Sequence, residues 1–233
     1  MDDQIISALR AHAAAEAPRE CCGVVVRIGK RDYYRACRNI AGSDAEFAIA
    51  PEDWAAAEDA GEVVAVCHSH PDASPQPSAA DRSMCETTAL PWLIVGHGDE
   101  VVAIVPEGYR APLSGRRFVH GVHDCYSLIR DYYAWELGIT LPDFGRDERW
   151  WESGGDLYCA HFAEAGFRPV SLDALQPHDV ILMRVAAPVT NHGAIYLGDG
   201  KILQHLMTKL SGRTIYGGWY QRCSTHTLRH SSR

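Results

Sequence analysis

Apolar and polar positions change their spacing several times along the chain, and each change marks a predicted element. Between Asp3 and Ala17, alanines surround Ile5, Ile6 and Leu9 at helical spacing, which predicts an opening helix stopped by Pro18. Val24–Ile28 and Asp32–Cys37 read as two strands of a hairpin around Gly29-Lys30, and Phe47–Ala50 as a further short strand. Pro51 suits the first helical position, so Glu52 to Ala60 predicts a helix ended by Gly61. The apolar run Val63–Cys67 predicts a short buried strand. Ser78–Thr88 predicts a helix, and Trp92–Val95 and Val101–Val105 two more strands. Interleaved strands and helices of this kind predict a mixed α/β sandwich for the first half.

The periodicity stops around Pro106-Glu107-Gly108-Tyr109-Arg110-Ala111-Pro112. Two prolines with Gly108 and Gly115 place a boundary there: a first domain over 1–106, a linker over 107–117 and a second domain over 118–233. In the second domain His123-Asp124-Cys125-Tyr126-Ser127 precedes an apolar-periodic helix, Leu128–Leu137, ended by Gly138. Asp179–Val185 predicts a strand. Asn191 to Gly200 predicts a strand entering a Gly-Asp-Gly turn, and Lys201–Leu206 returns antiparallel. No internal repeat or low-complexity tract is present.

Composition narrows the class. At 233 residues, with 46% hydrophobic and 22% charged residues, the chain suits one large globular domain or two of about 100–120 residues, each able to bury a core. No run approaches the roughly 18 apolar residues of a membrane span, and the acidic start MDDQIISALR is unlike a signal peptide. A net charge of −8 argues against a nucleic-acid partner, which needs a basic footprint. The Arg116-Arg117 pair is too short to supply one. Eight cysteines, none in a CxxC pair, are too sparse for a disulfide scaffold and fit a reducing cytoplasm. Cys67, in an apolar run, reads as a small buried hydrophobe.

The chemistry begins at the end of the Val63–Cys67 strand. His68 and His70 lie one residue apart, so in extended chain both side chains leave from one face. Pro71, Pro75 and Pro77 force a loop, after which Ser78 and Asp81, at i and i+3, share a helix face. Two imidazoles and a carboxylate leave a tetrahedral zinc one open position, the arrangement of a catalytic site rather than a structural one. Two histidines near a strand end are common in surface loops, but the whole string H-S-H-P-x6-S-x2-D is far more demanding. It resembles the JAMM (MPN-domain) metallopeptidase signature, and Pro18-Arg19-Glu20-Cys21-Cys22-Gly23 resembles that family's upstream glutamate segment. The resemblance implies zinc held by His68, His70 and Asp81, Glu20 moving the proton from water to the leaving amine, and Ser78 donating to the oxyanion.

The second domain carries a separate constellation. Cys125 stands at a helix start, where the macrodipole lowers a thiol pKa and makes a nucleophile candidate. A lone cysteine and a lone histidine mean little. The order Asp-Cys, Leu-x-Pro-x-Asp and His-Gly-x-Ile-Tyr-Leu-Gly-Asp-Gly, however, resembles the NlpC/P60 cysteine peptidases and implies a papain-like α+β domain. Cys125 is then the nucleophile with a depressed pKa, and His192 its general base. A third polar residue orients the imidazole from the returning strand: Gln204 stands at the expected spacing, with His205 the alternative, since a one-residue shift swaps their faces. Three departures stand out. Tyr126-Ser127 follows the cysteine in place of Ser-Gly, and His178 replaces the glycine of the Pro-Gly-Asp turn. Phe118-Val119-His120-Gly121 occupies the place of the family's Tyr-x-Trp-Gly-Gly stretch.

Both halves in one short chain, together with Arg117–Gly121 and Ile202–Leu206, resemble a family of phage tail-tip assembly proteins over residues 18–223. That resemblance implies tail assembly with two peptidase sites. One is zinc-dependent and cuts a peptide or isopeptide bond; the other is a Cys–His site for peptidoglycan stem peptides. It also implies tail-tip proteins as partners, in the host cytoplasm or at the virion tail tip. Two alternatives stay open: a docking factor with little catalysis, and a JAMM isopeptidase acting on ubiquitin-like tails.

Overall fold

Alternate residues of β1 (Cys22–Ile28) and β3 (Glu62–Ser69) bury on opposite faces, so their sheet has to be covered on both sides. In the computed structural model, which describes residues 2–98 and 100–233, helices do this. α1 (Asp3–Glu16) packs Ile5 and Leu9 against Val25, Ala65, Cys67 and Leu93. Burying such aliphatic side chains contributes roughly 1.5–3 kcal/mol each. On the other face α2 (Pro51–Ala60) brings Ala57 to Val24 and Val26, and α3 (Ala79–Thr88) brings Cys85 to Val66 and Trp92. β2 (Arg31–Cys37), β4 (Trp92–Val95) and β5 (Val101–Ile104) complete a five-stranded sheet in the order β2-β1-β3-β4-β5. Only β3 and β4 pair parallel, which requires a crossover, and α3 is that crossover.

Phe47–Ala50 does not form the strand that its composition suggests; Ile49 makes a single bridge to Asn39. The Asn39 side chain takes over the bonding a sheet partner would supply. Its Oδ1 accepts the amides of Ala41 and Ala48, and its Nδ2 donates to the carbonyls of Glu20 and Glu46. Phe47 is thereby freed to turn inward.

The chain divides into two units, Met1–Arg110 and Ala111–Arg233. The segment 107–117 is bonded at both ends. Glu86 accepts the amides of Glu107 and Tyr109 at 2.7 and 2.9 Å, while Arg116 is buried and bonds Asp131 at 2.5 Å.

In the second unit α4 (Cys125–Leu137) starts three residues before Leu128, because Asp124 caps it by accepting the Ser127 amide at 2.8 Å. Gly138, at φ 68°, ends it. Leu128, Ile129, Tyr132 and Tyr133 pack on Val180, Leu182, Ile195 and Leu228 of an antiparallel sheet. Its strands are β6 (Phe167–Pro169), β7 (Val180–Met183), β8 (His192–Gly198), β9 (Lys201–Gln204), β10 (Gly212–Ile215) and β11 (Ser224–His230). Their order is β10-β9-β8-β7-β11-β6. Ile181, Met183, Ala194 and Ile202 face the other side with Tyr216. α5 (Leu157–His161) and α6 (Trp219–Cys223) are single short turns. These two helices, β6 and β10 are too short to leave a sequence signal, and β11, STHTLRH, has a single aliphatic residue. His178 adopts φ 77°, a conformation that favours glycine. Two tyrosines of α4 hold it there: Tyr132 Oη lies 2.6 Å from its Nδ1, and Tyr133 donates to its carbonyl at 2.5 Å.

Candidate active sites

In the first unit, His68 near the end of β3 and His70 just past it project from the same face, towards the start of α3. Ser78 caps that helix. Its Oγ accepts the Asp81 amide at 3.1 Å and its amide donates to Asp81 Oδ2 at 2.7 Å, a capping box that aims the carboxylate at the histidines. His68 Nε2 lies 3.1 Å from His70 Nε2 and 3.4 Å from Asp81 Oδ1, and His70 Nε2 lies 3.5 Å from Asp81 Oδ2. Tetrahedral zinc, with bonds of about 2.0–2.2 Å, places its donor atoms about 3.3–3.5 Å apart. The donor set and its spacing therefore fit zinc, and among the described residues this is the cluster that could hold a metal ion.

The surroundings orient the donors. His70 Nδ1 lies 3.0 Å from the Ser74 carbonyl, which puts the proton on Nδ1 and the lone pair on Nε2. His68 is held by packing instead, stacked on Phe47 at 4.6 Å and edge-on to Trp92 at 5.5 Å, and its buried Nδ1 has no hydrogen-bond partner among the described residues. Burial works against the Asp81 charge, but hydrogen bonds to His68 and His70 hold its carboxyl well below the usual range. Glu20, also buried, goes the other way: burial pushes it up to about 7, against the pull of His70 and with help from Asp81 and Glu46. The Ser78 hydroxyl is exposed and keeps its proton free to donate. Neither Phe47 nor Trp92 carries a motif, so no sequence signal marks them as site residues.

In the second unit Cys125 is the first residue of α4, and Tyr158 of α5 meets its sulfur at 3.1 Å. The Gly193 amide also bonds the sulfur. Among the described residues no hydrogen bond joins Cys125 to His192, although Gly193 is the next residue along β8. The depressed thiol pKa expected from the helix start is not found. Cys125 keeps some accessible surface, yet the dense packing around it pushes the thiol up to about 11, and the Asp124 carboxylate adds to the effect. Desolvation and a neighbouring anion outweigh the helix dipole and the Tyr158 bond. Asp124 is held by the Ser127 and Gly121 amides and by Arg146 Nε at 2.9 Å.

His192 Nε2 lies 3.0 Å from Gln204 Oε1, and Gln204 Nε2 donates to Tyr220 Oη at 2.7 Å. The imidazole proton therefore sits on Nε2 and leaves Nδ1 as the basic nitrogen. Burial holds His192 down at about 4, so it is neutral near pH 7. His205 turns to the opposite face and packs edge-on to Phe118 at 5.2 Å. Of the two candidates for the third residue, the structure brings only Gln204 to His192. Next to Tyr158 lies a largely apolar cavity of about 50 Å3, lined by Tyr126, Phe144, Trp150, Tyr158 and Phe162. Tyr158 and Arg146 carry no sequence signal; they follow Cys125 by 33 and 21 positions in a stretch without periodicity.

Comparison with known proteins agrees with this division. The family of prokaryotic homologs of the JAB domain matches residues 2–106, and the NlpC/P60 family matches residues 115–229. Tail tip assembly protein K of Escherichia phage N15 is 42% identical over 234 residues, covering 99% of this chain and 96% of that protein. Tail tip assembly protein K of Escherichia phage lambda is 45% identical over 181 residues, 77% of this chain and 87% of that protein. A desampylase of Haloferax volcanii is 34% identical over 101 residues, 40% of this chain and 73% of that protein. With the JAB and NlpC/P60 domains in sequence and whole-length relatives of this similarity, the chain belongs to the tail tip assembly protein K family.

Proposed function

We propose that the chain works in phage tail-tip assembly among other tail proteins and carries two hydrolytic sites, one zinc-dependent and one Cys–His. The observation that carries the first is the trio of donor atoms 3.1–3.5 Å apart with Glu20 beside it. His68, His70 and Asp81 would hold the zinc ion, whose Lewis acidity would activate water and polarise the scissile carbonyl. Glu20, poised near neutrality, accepts a proton from the attacking water and returns it to the leaving amine. Ser78, next to the Asp81 carboxylate, donates its free proton to the carbonyl oxygen.

At the second site Cys125 attacks a peptide carbonyl, His192 Nδ1 takes the thiol proton and delivers it to the leaving amine, and Gln204 keeps the imidazole in that tautomer. The family resemblance points to peptidoglycan stem peptides, at the bond between D-glutamate and the diamino acid. A second reading for the zinc site, an isopeptidase of ubiquitin-like tails, is favoured by the 34% identity to a desampylase over 101 residues.

Metal analysis with hydrolysis assays tests the proposal. Purified protein should contain about one zinc per chain, and His70→Ala or Asp81→Ala should lose most of it, because a three-ligand site has no bond to spare. Glu20→Gln should keep the metal and lose hydrolysis. Loss of zinc in Glu20→Gln as complete as in His70→Ala would overturn the role given to Glu20. Full metal content with no cleavage of tail peptides, muropeptides or ubiquitin-like fusions would leave a docking factor.

A further inference from the structure

We propose that Tyr158 is a catalytic residue of the C-terminal site: its phenol holds the Cys125 sulfur, then donates to the oxygen of the carbonyl that the sulfur attacks. The inference rests on the reading of Cys125 as nucleophile. Its starting point is the 3.1 Å contact between Tyr158 Oη and Cys125 Sγ. α5 delivers the phenol from 33 positions downstream, and the surroundings are shaped to receive it. Gly193 stands directly under the phenol and keeps the space beneath it open. A Cβ on it would stand 2.8 Å from Ile129 Cδ1 and 3.3 Å from Tyr158 Oη, so a side chain there would crowd the phenol. The Tyr158 ring lies edge-on to Tyr126 at 6.1 Å, and Trp150 flanks it at 6.2 Å. The segment just upstream of the cysteine offers no hydroxyl of its own: Phe118 packs against His205, and His120 lies 3.0 Å from the Arg146 carbonyl.

One hydrogen bond between a thiol and a phenol can run in either direction. With the thiol protonated, S–H can donate to Oη. Once His192 has taken that proton, only the phenol can donate, and the bond then stabilises the thiolate. Burial and the neighbouring sulfur raise the Tyr158 pKa well above its ordinary value, so the phenol keeps its proton throughout. In the reaction the C–S bond forms as the carbonyl π pair moves onto oxygen, and the sulfur loses the negative charge that drew the phenol. The new oxyanion, on the carbon bonded to that sulfur, is the nearest anion, and Oη turns to it. Collapse restores the carbonyl and breaks the C–N bond, and the amine leaves with the proton from His192. A donor aimed at such an oxyanion accounts for about 10²–10³ in kcat.

The test is Tyr158→Phe in the full-length protein, which removes the hydroxyl and keeps the ring that walls the cavity. Iodoacetamide labelling followed by peptide mass mapping reads the reactivity of Cys125 across pH without any substrate. Tyr158→Phe should label Cys125 several-fold more slowly at pH 8, with labelling of Cys223 unchanged, and should cut kcat on a muropeptide about 100-fold with little change in KM. A fluorinated tyrosine at position 158, a stronger donor of similar size, should shift the labelling profile to lower pH. Labelling of Cys125 that is unchanged or faster in Tyr158→Phe overturns the inference, and so does a full kcat in that variant. Full hydrolysis by Cys125→Ser would instead sink the nucleophile reading underneath it.

Discussion

Gln204 and His205 are neighbours in the chain, separated at the sequence level only by a spacing that favours Gln204, yet their surroundings are opposite. Strand alternation sends Gln204 to the face of His192 and His205 to the face of Phe118. Their replacements should therefore fail differently. Gln204→Ala removes the acceptor that holds the imidazole tautomer, and should lower kcat on a muropeptide about 10- to 100-fold with little loss of stability. His205→Ala leaves a cavity against Phe118, and should cost about 2 kcal/mol of stability while kcat falls less. Urea midpoints and steady-state kinetics on the two variants decide the matter; a larger kcat loss in His205→Ala would reverse the assignment. The same scale accounts for His178 in place of glycine. The left-handed backbone is strained for a side chain, but Tyr132 and Tyr133 bond its ring and its carbonyl.

At the scale of elements, the start of α4 and the β8–β9 pair bury three histidines as neutral groups. His123, His192 and His205 are each held down at about 4, first by desolvation. Arg116 adds to this at His123 and His205, while the Gln204 bond opposes it at His192. Their unfolded value lies near 6.5. Between those limits the unfolded chain binds more protons than the folded one, so stability should fall as pH drops from about 6.5 and level off below about 4. At the steepest point unfolding takes up about three protons, a slope of at most about 4 kcal/mol per pH unit. Amide exchange of β7 and β8 in urea, measured at pH 7, 6 and 5, checks this. A stability of the second unit that is flat over that range would mean that these imidazoles are not neutral in the fold.

For the whole molecule, the division at Arg110 and Ala111 separates two cores, each with its own sheet. Glu86 ties residues 107 and 109 to the first unit, and Arg116 ties the opposite end to the second. Fragments 1–110 and 111–233 should each be soluble and give dispersed amide spectra, the first retaining zinc and the second retaining Cys125 chemistry. Aggregation of either fragment would show that the two cores depend on each other. All of the excess acidity lies in residues 1–110, with 18 acidic against 9 basic residues, while residues 111–233 are nearly balanced, with 12 against 13.

What the sequence determined by itself is whatever depends on close neighbours. His68 and His70 share a face because strands alternate, and Ser78 and Asp81 are joined because a capping box spans three residues. The helices α1 to α4 and the hairpin of β1 and β2 are legible for the same reason, as are the two domain motifs in order. Tertiary structure decided what depends on residues far apart in sequence. Asn39 converts an expected strand at Phe47–Ala50 into a loop, and Phe47 and Trp92 then clasp His68. Register between β8 and β9 seats Gln204, the residue the spacing favoured, against His192. Tyr158 reaches Cys125 across 33 residues, and the burial of that thiol reverses the pKa shift that its place at a helix start implied. Desolvation and charge act through space, so a pattern along the chain carries their sign only when the partners are also neighbours in sequence.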